Sequence, residues 1–111
     1  MLNHQKLKCY EYSLLLAKRV PDLVAGWPTG SGYLVDQLRR AISSVTLNIA
    51  EGNGRTSFAE RKRFFCIARG SAMEVSAIID VAEALKMISK SEYDLFQSYL
   101  LQIVKILYKL K

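Results

Sequence analysis

Residues 37–74, QLRRAISSVTLNIAEGNGRTSFAERKRFFCIARGSAME, decide the fold. Apolar residues on both sides of Gly52 and Gly54 recur at intervals of three and four, which indicates two helices that each bury one face. The glycines favour a helix C-terminus with positive φ, and Ser57 with Glu60 forms a capping box that begins the next helix. The stretch therefore predicts helices over residues 33–51 and 57 to about 87, folded back on each other. Their predicted core positions are Leu34, Leu38, Ile42, Val45 and Ile49 in the first, and Phe65, Ala68, Ala72, Val75, Ile79, Ala82 and Leu85 in the second.

A further helix is predicted before this pair, over residues 5–25. Pro21 lies within it and predicts either a kink or an early stop, because its ring clashes with the preceding turn. The glycine-rich loop 26–32 follows, and we expect Trp27 to pack over an open end of the bundle. The predicted buried face of this first helix comprises Leu7, Tyr10, Leu14 and Ala17.

The last helix begins at a second capping box, formed by Ser89 and Glu92. Its apolar residues alternate steps of four and three, which is the spacing of antiparallel helix bundles. The predicted fold is all-α: one domain, residues 1–111, that forms an antiparallel up-down-up-down four-helix bundle. The predicted core positions of the last helix are Phe96, Leu100, Ile103, Leu107 and Leu110.

Composition narrows the class of protein. The net charge of +6 and the pI near 9.5 favour anionic partners. No run approaches the roughly 18 apolar residues of a membrane span, and the polar N-terminus does not resemble a signal peptide. Cys9 and Cys66 lack CxxC spacing, so we expect both to be reduced, buried thiols of a cytoplasmic protein. His4 is the single histidine, so no metal site and no cofactor is predicted.

The positive charge is concentrated in one part of the chain. Residues 37–73 hold seven basic and two acidic side chains, a net charge of +5, whereas residues 74–111 hold five of each. Three cations lie in the first turns of the helix that follows the corner, where the helix dipole disfavours them. The cluster therefore predicts either a nucleic-acid-binding surface that meets phosphates or an ordinary solvated face. The candidate nucleic-acid-binding residues are Arg55, Arg61, Lys62, Arg63, Arg39 and Arg69.

Polar residues also interrupt the two central helices. Antiparallel pairing through the corner predicts that Arg40 lies near Arg69 and Gly70, and that Glu74 neutralises Arg40. Gly70 in a helix interior costs about 1 kcal/mol relative to alanine, so we expect a close backbone approach there. No nucleophile and base are spaced for catalysis, so the protein is predicted not to be an enzyme. The predicted structural polar network comprises Arg40, Ser44, Asn48, Glu51, Ser71 and Glu74.

The first and last helices carry apolar residues beside their predicted core stripes. Tyr12, Leu15, Leu16 and Leu23 extend the first, and Leu101, Val104 and Tyr108 extend the last. The excess predicts either a subunit interface or a wide core stripe.

Several short motifs of this chain resemble one protein family. They are RRA at 39–41, SS at 43–44, NIAEG at 48–52, GR at 54–55, and ARGS at 68–71 followed by Glu74. Together they look like the four-helix bundle proteins encoded in intervening sequences of bacterial 23S ribosomal RNA genes. The resemblance implies a homopentameric ring with no known enzymatic activity. That family is also similar to the accessory variability protein of diversity-generating retroelements, a pentameric basic bundle that binds nucleic acid and a reverse transcriptase.

The favoured prediction is a non-catalytic, homo-oligomeric bundle that binds nucleic acid, with structured RNA favoured, through the corner between its second and third helices. The alternative is a protein-interaction adaptor, such as an accessory subunit of a reverse transcriptase, whose basic corner docks an acidic protein surface. Neither hypothesis involves a membrane.

Overall fold

The structure, a computed structural model, describes residues 2–110 and contains four α-helices that pack side by side. They form a rod of 45 × 23 × 23 Å, with no β-strand within the described residues. The prediction of an all-α four-helix fold is confirmed. The helices are α1 (Lys8–Ala25), α2 (Gly32–Gly54), α3 (Phe58–Ala84) and α4 (Lys90–Lys109), and a short 3₁₀ turn, Asn3–Lys6, precedes them.

The predicted core positions of α2 and α4 are almost entirely correct. All five predicted residues of α2 are buried, as are Phe96, Leu100, Ile103 and Leu107 of α4, while Leu110 is half-buried. At the start of α4, Ser89 Oγ accepts a hydrogen bond from the Glu92 amide at 3.1 Å, and the Glu92 carboxylate accepts one from the Ser89 amide at 2.8 Å. The capping box predicted there is therefore confirmed.

The predicted buried face of α1 is wrong. Leu7, Tyr10 and Ala17 are half-buried and Leu14 is exposed, whereas the buried positions follow a neighbouring stripe. A serine lies in the middle of that stripe, and its hydroxyl is satisfied inside the bundle: Thr46 donates to Ser13 Oγ at 2.9 Å, and Ser13 donates to the Tyr10 carbonyl at 2.8 Å. A hydrophobicity pattern does not register a buried serine, so it pointed to the wrong side. The buried residues are Cys9, Ser13, Leu16, Val20 and Leu23.

Three local predictions about the helices and their ends have different outcomes. The helix α1 continues through Pro21 to Ala25, so the early stop does not occur. Trp27 is buried against the core, as expected. Cys9 is buried, and burial raises the pKa of its thiol to about 11, but Cys66 is exposed on α3, which contradicts the prediction that both thiols are buried.

Helix α3 ends earlier than predicted, at Ala84 rather than at about residue 87. The Met87 amide donates to the Ala82 carbonyl at 2.8 Å and the Lys86 amide donates to the Glu83 carbonyl at 2.9 Å, which is the Schellman pattern of a helix end. Lys86 takes the left-handed conformation, with φ of 59°, that this pattern requires. Leu85 therefore lies outside the helix and is 57% exposed, so its predicted core position is wrong.

The corner between α2 and α3 is built differently from the prediction. The glycines do not end α2 with a positive φ: the helix runs to Gly54, and Arg55 follows in an extended conformation. Gly52 is instead a site of close packing. A Cβ atom there would lie 2.7 Å from the Phe65 ring and 3.1 Å from the Cβ atom of Phe64. Any other residue at this position would force the Phe65 ring to shift, because the side chains of α3 occupy the space that its Cβ atom would need.

The longer α2 changes how the two central helices pair. They are antiparallel, because Gly52 packs against Phe65 while Ser44, earlier on α2, bonds to Ser71, later on α3, at 2.7 Å. The predicted register, with Arg40 near Arg69 and Gly70, would place Ser44 near Phe65, so the observed register differs by more than one helical turn. The difference arises because the corner lies at residues 55–57 rather than 52–54.

These two observations predict opposite effects of alanine at two helical glycines. Gly52→Ala is expected to destabilise the fold by about 1–3 kcal/mol, because the added methyl overpacks the Phe65 contact. Gly70→Ala is the matched control: nothing lies within 4 Å of its Cβ position, and alanine stabilises a helix interior by about 1 kcal/mol. Urea denaturation measures both changes in the free energy of unfolding. Equal effects at the two positions would contradict the close packing of Gly52.

Candidate nucleic-acid interface

Arg61 closes the C-terminus of α2. Its guanidinium donates hydrogen bonds to the carbonyls of Gly52, Asn53 and Arg55 at 3.2, 3.0 and 3.2 Å, and it lies 5.4 Å above the Phe65 ring. The last carbonyls of a helix have no partner within the helix and require one. The positive charge of Arg61 also interacts favourably with the negative end of the helix dipole. Arg61 was predicted to bind nucleic acid, and in the structure its guanidinium bonds to backbone carbonyls of the corner.

Arg55 and Arg63 flank one aromatic ring. The Cζ atoms of their guanidinium groups lie 5.0 and 4.7 Å from the centre of Phe64. Arg55 also donates to the Glu51 carboxylate at 2.9 Å. The side chains of this ion pair are about half exposed, Arg55 at 44% and Glu51 at 54%. Exposed ion pairs contribute about 0–1 kcal/mol to stability, so an anion that replaces Glu51 beside Arg55 breaks only a weak interaction. The ring holds both guanidinium groups at the surface of the corner.

The remaining predicted cations lie apart from the acidic side chains. Lys62 is exposed one turn into α3, and Arg39 is exposed near the start of α2. Arg69 lies 4.4 Å above the Tyr108 ring of α4. Within residues 2–110, no Asp or Glu oxygen lies within 4.0 Å of the charged groups of Lys62, Arg63, Arg69 or Arg39.

The predicted polar network is brought together in part. The Ser44 and Ser71 hydroxyls share a hydrogen bond, and the Asn48 amide donates to the Ser44 carbonyl at 2.8 Å and to its hydroxyl at 3.1 Å. Glu51 pairs with Arg55 instead of joining these residues. Arg40 and Glu74 are both exposed, and neither has a hydrogen bond or ion pair to a described residue. The changed register of α2 on α3 explains why they do not meet.

Gly70 does not make the close backbone approach that the sequence predicted, because it is exposed and its Cβ position is open. Its place on the outer side of α3 leaves room for another molecule to approach that helix.

The end of α4 adds cations that the sequence analysis missed. Asp80 accepts a hydrogen bond from the Tyr93 hydroxyl at 2.9 Å, whereas Arg69 contacts Tyr108, so α4 runs antiparallel to α3. The last turns of α4, with Lys105 and Lys109, therefore lie alongside the N-terminal half of α3. The acidic residues of 74–111 lie mostly toward the other end of the rod. The net charge of this segment is zero, so the sum does not show that its cations and acids are separated in space. The detectable signal was their order along the chain, since all five acids precede Lys105, Lys109 and Lys111.

Three aromatic rings are exposed among residues 2–110. Phe58 is 62% exposed at the first residue of α3, Tyr33 is 64% exposed near the start of α2, and Tyr108 is 73% exposed near the end of α4. Helical spacing placed these rings beside core positions, but each lies in a terminal turn, where neighbouring helices no longer cover it. Phe58 and Tyr108 lie on the cationic half of the rod.

Features of other kinds of site are few. Residues 2–110 contain no group of three or more His, Cys, Asp or Glu side chains placed to hold a metal ion. In the same part of the chain, no helix combines the length and the apolarity that crossing a bilayer requires. A half-open groove of about 360 Å³ lies between α3 and α4 and is lined by Met73, Ser76, Asp80, Gln97 and Leu101, among others.

The fold and the exposed cations define a basic four-helix bundle protein. The chain belongs to the 23S rRNA-intervening sequence protein family, whose sequence profile matches residues 5–109. The chain is also similar to a crystal structure of a protein with unknown function from the S23 ribosomal protein family of Bacteroides thetaiotaomicron. The two share 22% sequence identity and superpose with a TM-score of 0.80, over 90% of this chain and 91% of the other. No match to a curated protein was found. The family prediction is confirmed, and the structural likeness supports the fold.

The structure predicts that Arg61 stabilises the bundle more than its neighbours do. Arg61→Gln is expected to lower the free energy of unfolding by about 1–3 kcal/mol, because three carbonyls lose a charged donor. Lys62→Gln removes the same charge from the next residue and is expected to leave stability within about 0.5 kcal/mol of wild type. Urea denaturation of the two variants measures the difference. Equal stability would show that the Arg61 hydrogen bonds contribute nothing to the corner.

Proposed function

We propose that this protein is a non-catalytic, homo-oligomeric bundle that binds nucleic acid, with RNA favoured, through the α2–α3 corner. The observation that carries the proposal is the exposure of Lys62 and Arg63, beside Arg55, with Glu51 as the one carboxylate paired there among the described residues. Phosphate contacts by such cations release counterions and give affinity that falls steeply with salt. The family name links relatives to intervening sequences of 23S rRNA, which makes RNA the first ligand to test.

Self-association is part of the proposal because each corner presents few cations, and weak contacts gain strength when several subunits bind one polymer. Support comes from apolar side chains on the outer surface of α3 and α4. Met73 is 60% exposed and Leu101 is 52% exposed, and both line the groove between these helices. α1 contributes less to the exposed apolar surface, since its Leu14 is 37% exposed, whereas Leu47 of α2 is 64% exposed. Five subunits is the number that the family resemblance implies.

The nucleic-acid hypothesis predicts weaker and less salt-sensitive binding when the corner loses its exposed cations. The variant carries Arg55→Gln, Lys62→Gln and Arg63→Gln, and Arg61 stays unchanged so that the fold is retained. For structured RNA, the slope of log affinity against log salt concentration is expected to become shallower by about 0.7–0.9 for each phosphate that is no longer neutralised. Filter binding over a series of salt concentrations measures the slope.

The matched control places the same three charge changes at Lys18, Arg19 and Lys86, which are exposed elsewhere on the bundle. It is expected to bind as wild type does, because net charge falls equally while the corner is intact. Unchanged binding by the corner variant would remove the hypothesis. A partner protein that stays bound through the corner after nuclease digestion would instead support the adaptor alternative, for example docking to an acidic surface of a reverse transcriptase.

The oligomer hypothesis predicts that a charge on the outer surface of α4 separates the subunits. Leu101→Glu is expected to shift the protein to monomers in light scattering coupled to gel filtration, because an apolar interface does not accommodate an unpaired carboxylate. Gln102→Glu introduces the same charge at the next, exposed residue and serves as the control. A wild-type protein that is monomeric, or a Leu101→Glu variant that still assembles, would contradict this choice of surface.

A further inference from the structure

We propose that the α3–α4 edge of the basic half binds unpaired nucleotides, and that Phe58 and Tyr108 stack on their bases. This inference rests on the proposed function and narrows its ligand to single-stranded or looped regions of a nucleic acid. Phe58 and Tyr108 are not among the residues that the sequence predicted to bind nucleic acid.

The phenylalanines of the bundle differ sharply in exposure. Phe65 and Phe96 are buried, Phe64 is half-buried beneath two guanidinium groups, and Phe58 is 62% exposed. The position of Phe58 does not require an aromatic residue, since the helix is already capped by Ser57, whose hydroxyl accepts from the Glu60 amide at 3.1 Å. Phe58 therefore leaves most of a large apolar ring in contact with solvent without a structural reason in this bundle.

Charged and aromatic groups are aligned along this edge. Phe58, Lys62 and Arg69 lie on one side of α3, because steps of four and seven residues return to nearly the same face of a helix. Arg69 in turn lies 4.4 Å above the ring of Tyr108, which is 73% exposed. These four side chains form a track that begins and ends with an exposed ring and has two cations between them. Its length along α3 is about 16 Å, from the rise of 1.5 Å for each residue.

Two exposed rings with cations between them suit unpaired nucleotides rather than a duplex. In a double helix the faces of the bases are covered by their stacked neighbours, so an aromatic side chain has no face to meet. In a single strand or a loop, each base offers a face to an aromatic ring, and the phosphates that follow it meet Lys or Arg. Such stacking contributes about 1–3 kcal/mol for each base and tolerates any sequence.

The test compares two oligonucleotides that carry the same phosphates. One is an oligouridylate about 12 nucleotides long, and the other is an abasic strand of equal length. Binding is measured by fluorescence anisotropy with the intact protein. Phe58→Ala and Tyr108→Ala are each expected to weaken binding of the oligouridylate by about 5- to 150-fold and to leave binding of the abasic strand unchanged.

Tyr33→Ala is the matched control, because Tyr33 is equally exposed, at 64%, but lies near the start of α2, away from the corner. It is expected to change neither affinity. Phe58→Trp provides a second readout: the new indole is expected to lose fluorescence when the oligouridylate binds and to keep it with the abasic strand. Trp27 is buried and supplies a constant background.

The inference is overturned if Phe58→Ala and Tyr108→Ala leave oligouridylate binding intact, if they weaken both strands equally, or if they dissociate the oligomer. The proposed function fails separately, when the wild type does not bind structured RNA in the salt series or when the variant with three glutamines at the corner binds structured RNA as the wild type does. A wild type that binds structured RNA but not the oligouridylate overturns only the stacking site. Binding of both strands by the wild type and by Phe58→Ala with equal affinity would leave the proposed function standing and remove the stacking site.

Discussion

The contact between Gly52 and Phe65 is the constraint on which the corner depends. A ring occupies the place of a side chain on α2, so the two helices approach each other at the point where α2 ends. That approach brings Arg61 within hydrogen-bonding distance of the carbonyls of Gly52, Asn53 and Arg55. The register of α2 on α3 follows from it, and so does the set of cations that remain at the surface. The close packing of the corner thus depends on the absence of a Cβ atom at residue 52.

Sequence periodicity predicted those parts of the fold in which burial and apolar character coincide. The predicted core positions of α2 and α4 were correct, except for Leu110, because the buried residues there are apolar and recur at regular helical spacing. In α1 the buried stripe includes Ser13, whose hydroxyl is satisfied by Thr46 and the Tyr10 carbonyl. Such a residue is identified as core only when its partner on another helix is known. The end of α3 was missed for a related reason, because Lys86 adopts a conformation that usually requires glycine.

The candidate site was predictable as a set of charges and not as a geometry. The concentration of Arg and Lys around the corner is visible in the sequence, and the structure leaves Lys62 and Arg63 exposed there. The sequence does not reveal that Arg61 is directed toward backbone carbonyls, because that depends on where α2 ends. It also does not reveal that Lys105 and Lys109 lie beside α3, since this follows from the direction of α4. Contacts between helices decide which cations are available, and they become visible only in three dimensions.

The separation of charge along α4 has a kinetic consequence. Cations gather toward the corner end of a rod 45 Å long, whereas Asp80 and its acidic neighbours lie toward the opposite end. The molecule is therefore an electric dipole whose positive pole is its corner. A polyanion exerts a torque on such a dipole over distances comparable to the Debye length, about 8–10 Å at moderate salt. At low ionic strength, any polyanion that approaches the protein is therefore expected to turn the corner toward itself before any side chain makes contact.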